Sequence, residues 1–101
     1  FAFPSSCETF GISLLEAMAA GLPIACSNRG PMSEILRDAG VYFNPENPES
    51  ISEALKILLI DEELRQTLGA KAQSISKSYN WERCVDNTFY FLKSLNKNCL
   101  F

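Results

Sequence analysis

Residues 7–21, CETFGISLLEAMAAG, decide how this chain folds. A loop through Cys7, Glu8 and Thr9 runs into Gly11, after which Ile12, Leu14, Leu15, Met18 and Ala19 recur at helical spacing. Gly21, with Pro23 two residues on, is a stop signal. Short apolar runs flank this helix. Phe1 to Phe3, halted by Pro4, reads as the end of a buried strand, and residues 23–27, PIACS, as the next strand. Residues 28–40, NRGPMSEILRDAG, follow as a Gly-Pro turn, a short helix through Ile35 and Leu36, and an exit at Gly40. VYF, residues 41–43, is a third strand. Short apolar strands joined by helices imply right-handed crossovers and a parallel sheet, hence an α/β fold.

After residue 43 the pattern is helical. Asn47 and Pro48 supply an N-cap and a first-turn proline, and Ile51, Ala54, Leu55, Leu58 and Leu59 form an i, i+3, i+4, i+7, i+8 stripe. Asp61 can cap a second helix with Leu64, Leu68, Ala72 and Ile75 on one face. Asn80 can cap a third, with Trp81, Cys84, Val85, Phe89, Leu92 and Leu95 inward. FYFL, residues 89–92, places aromatics on more than one face of that helix. They are either scattered surface aromatics or a face packed against a domain outside this chain.

At 101 residues the chain has room for one small domain. An apolar content of 47% and a charged content of 21% fit an ordinary soluble globular protein. A net charge of −3 without a basic run argues against nucleic acid as a partner. No apolar stretch is long enough to span a bilayer, and the N-terminus has no basic start and long apolar segment of a signal peptide. The opening FAFPSS, with no initiator Met, leads us to expect a piece of a longer protein. Cysteines 7, 26, 84 and 99 form no C-x-x-C pair, and the chain has no His, so a zinc set is not expected. The expectation is reduced cytosolic thiols packed as small apolar residues. Without His, Ser-His and Cys-His catalysis is excluded from this chain, and acid–base chemistry would fall to carboxylates.

Two acids sit in the opening segment, where no basic residue precedes Arg29. In open parallel α/β sheets ligands bind where strands end and helices begin. Free amides at Phe10, Gly11, Ile12 and Ser13 would carry partial positive charge suited to a phosphate, and Gly11, lacking a Cβ, would let a ligand approach closely. Glu16 is the one charge between Glu8 and Arg29. If buried, it would need donors, and its two oxygens suit a pair of hydroxyls such as a ribose diol. It lies about one and a half turns into the helix, roughly a nucleoside's length from the phosphate end. Glu8 would lie on the other side of the phosphates, where a sugar would sit. The alternatives stay open: Glu16 solvated on a polar face, and Glu8 satisfying the helix's own amides.

PSSCETFGISLLEAMAAGLPIACSNRGPMSEILRDAG, followed by VYFNPENPESISEAL and the later YNWERC, resembles the C-terminal domain of the retaining GT-B glycosyltransferases (glycosyl transferases group 1) over essentially the whole chain. The specific element is E-x7-E, Glu8 to Glu16, with Phe10-Gly11 inside it and EAMAAGLPI overlapping its end. The resemblance implies the C-terminal part of a Rossmann-like domain, binding a nucleotide-sugar donor in the cleft against an N-terminal acceptor-binding domain of the same protein. It implies that Glu8 serves as the catalytic-site carboxylate contacting the donor sugar, and that Glu16 contacts the ribose. Phe10, Gly11, Ile12 and Ser13 would approach sugar and diphosphate. Transfer of a hexose-type sugar with retention follows, without a metal or other cofactor, to an acceptor sugar, lipid-linked sugar or other acceptor. The leaving diphosphate would be stabilised by an Arg/Lys pair upstream, so this chain alone would not turn over. The resemblance also turns Tyr90 and Phe91 toward the N-terminal domain and gives GPMSEI, with Glu34, a packing role. A cytoplasmic location, with peripheral association at the inner face of a membrane, is the corresponding expectation. A GT-B nucleotide-sugar 2-epimerase and a non-catalytic sugar-nucleotide-binding module are the alternatives.

Overall fold

The computed structural model describes residues 1–96; Cys99 lies outside them. Strands β1 (Ala2–Phe3), β2 (Ala25–Ser27) and β3 (Val41–Phe43) form one parallel sheet in the order β1-β2-β3. Helices α1 (Ile12–Ala19) and α2 (Met32–Leu36) connect them, and α3 (Pro48–Ile60), α4 (Glu62–Ser76) and α5 (Trp81–Asn96) follow. This is the expected α/β class with three trailing helices. β2 begins two residues later than expected, because Pro23 has no amide to give a ladder.

The register places Phe3 beside Cys26 and Cys26 beside Tyr42, and sets Ala25 opposite Val41 and Ser27 opposite Phe43. Side-chain alternation then divides the sheet into two apolar layers. Phe3, Cys26 and Tyr42 join Leu14, Ala17, Met18, Met32, Ile35 and Leu36 from α1 and α2. Ala25, Val41 and Phe43 pack instead with Ile51, Ala54, Leu55 and Leu58 from α3. Helix α4 belongs to both layers: Ala72 and Ile75 reach the first, Leu64 and Leu68 the second. Burial within the first layer pushes the Cys26 thiol up to about 12, so it behaves as an inert small apolar group.

The caps follow the sequence. Asn47 accepts from the amides of Glu49 and Ser50 at 3.0 and 3.4 Å, Asp61 from Leu64 at 2.9 Å, and Asn80 from Arg83 at 2.8 Å. At the other end of α1 the Gly21 amide bonds the Met18 carbonyl and the Leu22 amide that of Ala17, which closes the helix where Gly21 was expected to stop it. Gln73 of α4 donates to the Ala19 carbonyl at 3.1 Å, so the end of α1 is tied to α4 as well.

Four expectations need correction. Leu59, counted in the α3 stripe, is 74% exposed, because it turns past the arc that meets the sheet and α4. Helix α5 has an apolar side but, among the described residues, no core beneath it. Trp81, Cys84, Val85, Phe89, Leu92 and Leu95, expected inward, are all exposed, as are Tyr90 and Phe91. The helix stands off from the other elements, and the molecule is correspondingly elongated at 60 × 28 × 17 Å. Of the cysteines expected to pack, Cys26 does so, whereas Cys7 and Cys84 are exposed free thiols. Glu34 is exposed too, so the packing role of its segment falls to Met32 and Ile35.

α1 and α4 meet backbone to backbone at Gly69. A Cβ there would lie 2.4 Å from the carbonyl oxygen of Gly21. Alanine would favour the isolated helix by about 1 kcal/mol, but the obstacle is backbone and cannot rotate away. Gly69→Ala is expected to lower stability by about 1–3 kcal/mol in urea unfolding, the usual range for overpacking. An unchanged or higher midpoint would contradict this contact.

Candidate donor site at the head of the first helix

β1 ends at Phe3, and the chain then loops through Pro4 to Phe10 before entering α1. Ser5 Oγ bonds Glu8 Oε1 at 2.9 Å and the Cys7 carbonyl at 3.3 Å, a local turn that fixes where the Glu8 carboxylate stands. Glu8 is half-buried, and its backbone passes close to Gly30 on the β2–α2 turn. Among the described residues no side chain caps α1. The reading in which Glu8 satisfies the helix's amides is therefore set aside.

Gly11 is the N-cap, with φ 90° and ψ 60°. Its carbonyl accepts from the amides of Leu14 and Leu15 at 3.1 and 3.2 Å. The amides of Ile12 and Ser13 precede these first helical bonds and carry the positive end of the helix dipole. They border an open cavity of about 240 Å³ whose lining is Phe3, Glu8, Thr9, Phe10, Gly11, Ile12 and Ser13. Five of the six residues expected at the site thus surround one opening.

Glu16 is the sixth, and it stands apart. It does not border the cavity and is exposed on the outer side of α1, opposite the buried Leu14, Ala17 and Met18. Solvated there, the carboxylate has no desolvation to offset and needs no buried donors. Sequence reasoning missed Phe3 and Thr9 as lining residues. Thr9 was legible, lying between two residues already singled out. Phe3 was read only as strand core, and its half-exposed ring shows that the end of a strand serves core and cavity together. Phe10 also makes a contact invisible in the sequence: its ring and that of Tyr79 form a T-shaped pair, centroids 5.8 Å apart and planes at 70°.

A strand–loop–helix turn with free helix amides and a carboxylate is now in view, and residues 1–75 match the family model of the glycosyl transferases group 1. The chain belongs to that family. Over 95 residues it is 35% identical to the O-antigen chain mannosyltransferase B of Escherichia coli, spanning 94% of this chain and 25% of that protein. It is likewise 35% identical over 86 residues to a sulfoquinovosyl transferase of Arabidopsis thaliana, spanning 80% of this chain and 17% of that protein. The sucrose-phosphate synthase of Thermosynechococcus elongatus superposes with a TM-score of 0.83 at 25% identity, over 97% of this chain and 25% of that one. The group 1 chain described here thus spans 17–25% of the length of these relatives, and its α/β fold is of the GT-B kind. No helix among the described residues is long and apolar enough to cross a membrane.

In this group 1 chain Gly11 serves a different purpose from the one expected. A Cβ there would face the Phe3 ring at 3.6 Å and Leu14 at 3.7 Å, inside the protein, with room to fit. The need for glycine comes from φ, which lies in the left-handed region. Gly11→Ala is expected to destabilise the fold by about 1–2 kcal/mol through that strain, measured by urea unfolding. A variant as stable as the parent would mean that the turn does not require this conformation.

Proposed function

We propose that this chain supplies part of the donor site of a glycosyltransferase that moves a hexose-type sugar from a nucleotide diphosphate to an acceptor, with retention of configuration. The observation that carries the reading is the cavity joining the free amides of Ile12 and Ser13 to the Glu8 carboxylate in a group 1 family fold. The donor's diphosphate would lie on the amides of Phe10, Gly11, Ile12 and Ser13, where a helix start attracts negative charge. The transferred sugar would lie toward Glu8. A carboxylate offers about four lone-pair positions; Ser5 uses one on Oε1 and leaves the others for sugar hydroxyls. Held in place before the donor arrives, Glu8 would act as the catalytic-site carboxylate, orienting the sugar for departure of the diphosphate. Glu16, exposed beyond the cavity along α1, would accept from the ribose diol.

The remaining parts belong to the longer protein proposed here. An N-terminal domain would bind the acceptor, whether a sugar, a lipid-linked sugar or another hydroxyl compound, and would cover the apolar side of α5 with Tyr90 and Phe91 turned toward it. An Arg/Lys pair upstream of Phe1 would stabilise the leaving diphosphate, so the present chain would not turn over alone. No metal or other cofactor forms part of the proposal. The site would work in the cytoplasm, with the full protein associating peripherally with the inner face of a membrane.

Glu8 and Glu16 divide the donor between them, and the two variants separate their roles in the full-length protein. A hydrogen bond to a charged acceptor is worth about 1.5–3 kcal/mol, or roughly 10- to 150-fold. Glu16→Ala is expected to weaken free nucleotide binding by that factor in calorimetry. An unchanged affinity removes Glu16 from the ribose. Glu8→Ala is expected to spare free nucleotide while reducing turnover of the nucleotide-sugar by at least as much. Equal losses in both would contradict a role confined to the sugar.

A further inference from the structure

Phe10 forms part of the cavity wall and leads directly into Gly11, so the position of its ring bears on the direction of the amides that follow. Within the loop the side-chain hydrogen bonds are those of Ser5 to Cys7 and Glu8, which leave Phe10 untied. The Phe10 ring instead pairs with that of Tyr79 in a T-shaped contact, centroids 5.8 Å apart and planes at 70°. Tyr79 is itself well anchored. Its amide bonds the Ser76 carbonyl at 3.0 Å, and its ring packs partly buried on the first apolar layer. Its neighbours are fixed as well: Arg83 donates to the Ser78 carbonyl at 3.2 Å, and Asn80 caps α5. Tyr79 does not border the cavity.

We propose that Tyr79 is a positioning residue for the donor site: its ring sets Phe10, and through Phe10 the Gly11–Ser13 backbone that would receive the diphosphate. The inference rests on the donor-site reading above and adds a residue 69 positions further along the chain to it. An anchored ring in the α4–α5 connection acts on a loop with few ties of its own, so the influence runs from Tyr79 to the site. The contact is between rings, so the Tyr79 hydroxyl has no part in it, and phenylalanine should serve equally well.

The test uses the full-length protein and steady-state kinetics with a nucleotide-sugar and a fixed acceptor. Tyr79→Leu keeps an apolar side chain on the first layer and removes the ring. It is expected to raise the donor KM about 2- to 10-fold, the range an aromatic pair supports, with the acceptor KM unchanged. Tyr79→Phe is expected to restore the parent's donor KM. In a Phe10→Leu background, Tyr79→Leu is expected to add nothing, because its partner ring is already gone. The proposal is overturned if Tyr79→Leu leaves the donor KM unchanged, if Tyr79→Phe is as impaired as Tyr79→Leu, or if the Phe10 and Tyr79 effects simply multiply. Any loss of thermal stability is recorded beside each value, since stability alone would not raise one substrate's KM and spare the other's. Glu8→Ala, run in parallel, separates the two levels. If it leaves turnover intact, the donor-site reading itself fails; if it lowers turnover while Tyr79→Leu has no effect, the positioning role alone fails.

Discussion

The left-handed turn at Gly11 is the constraint on which the rest of the arrangement depends. With φ at 90° above the Phe3 ring, the chain reverses from β1 into α1 without a side chain at the point of reversal. One consequence lies below the turn: Leu14, Ala17 and Met18 drop onto the sheet and are almost completely buried. The other lies above it, where the amides of Ile12 and Ser13 are left to an opening instead of to a neighbouring carbonyl. Packing and site are thus two results of one backbone conformation.

Three strands of two or three residues each are too short to hold such a turn by their ladder alone. The brace is α4. It contributes to both apolar layers, approaches the end of α1 at Gly69, accepts no side chain there, and bonds Ala19 through Gln73. A further tie joins Lys71 to Asp38 in the turn before β3, and this ion pair holds the Asp38 carboxyl below its ordinary range. Both partners are largely exposed, so the pair counts for little in stability and more as a marker of register. The same helix leads, through Ser78 and Tyr79, to the ring that meets Phe10. α4 therefore links the base of α1 to its head.

Much of this is legible in the sequence. Short apolar runs gave the strands because a doubly covered parallel strand has no polar face to show. Asn47, Asp61 and Asn80 announced three helix starts because a side-chain oxygen there has a specific amide to accept from. Glu8, Phe10, Gly11, Ile12 and Ser13 could be grouped because they are neighbours in one loop and one helix turn. Three kinds of feature were not legible. Amphipathic spacing in α5 says that Trp81, Val85 and Leu92 share a side, but nothing in it says what covers that side. The environment of Glu16 depended on which arc of α1 faces the sheet, and Ala20 and Ala19 are small enough to suit either face. The Phe10–Tyr79 contact joins residues far apart in sequence, and no local pattern encodes such a meeting.

The central claim is that the head of α1 receives the donor's diphosphate while Glu8 faces its sugar. The most direct test is a crystal structure of the full-length protein with UDP, GDP or ADP, whichever binds in a preliminary screen. The expected result has the diphosphate oxygens within about 3 Å of the Ile12 and Ser13 amides, with the ribose extending toward Glu16. A nucleotide seated elsewhere, with the cavity at Gly11 filled only by water, would contradict the account.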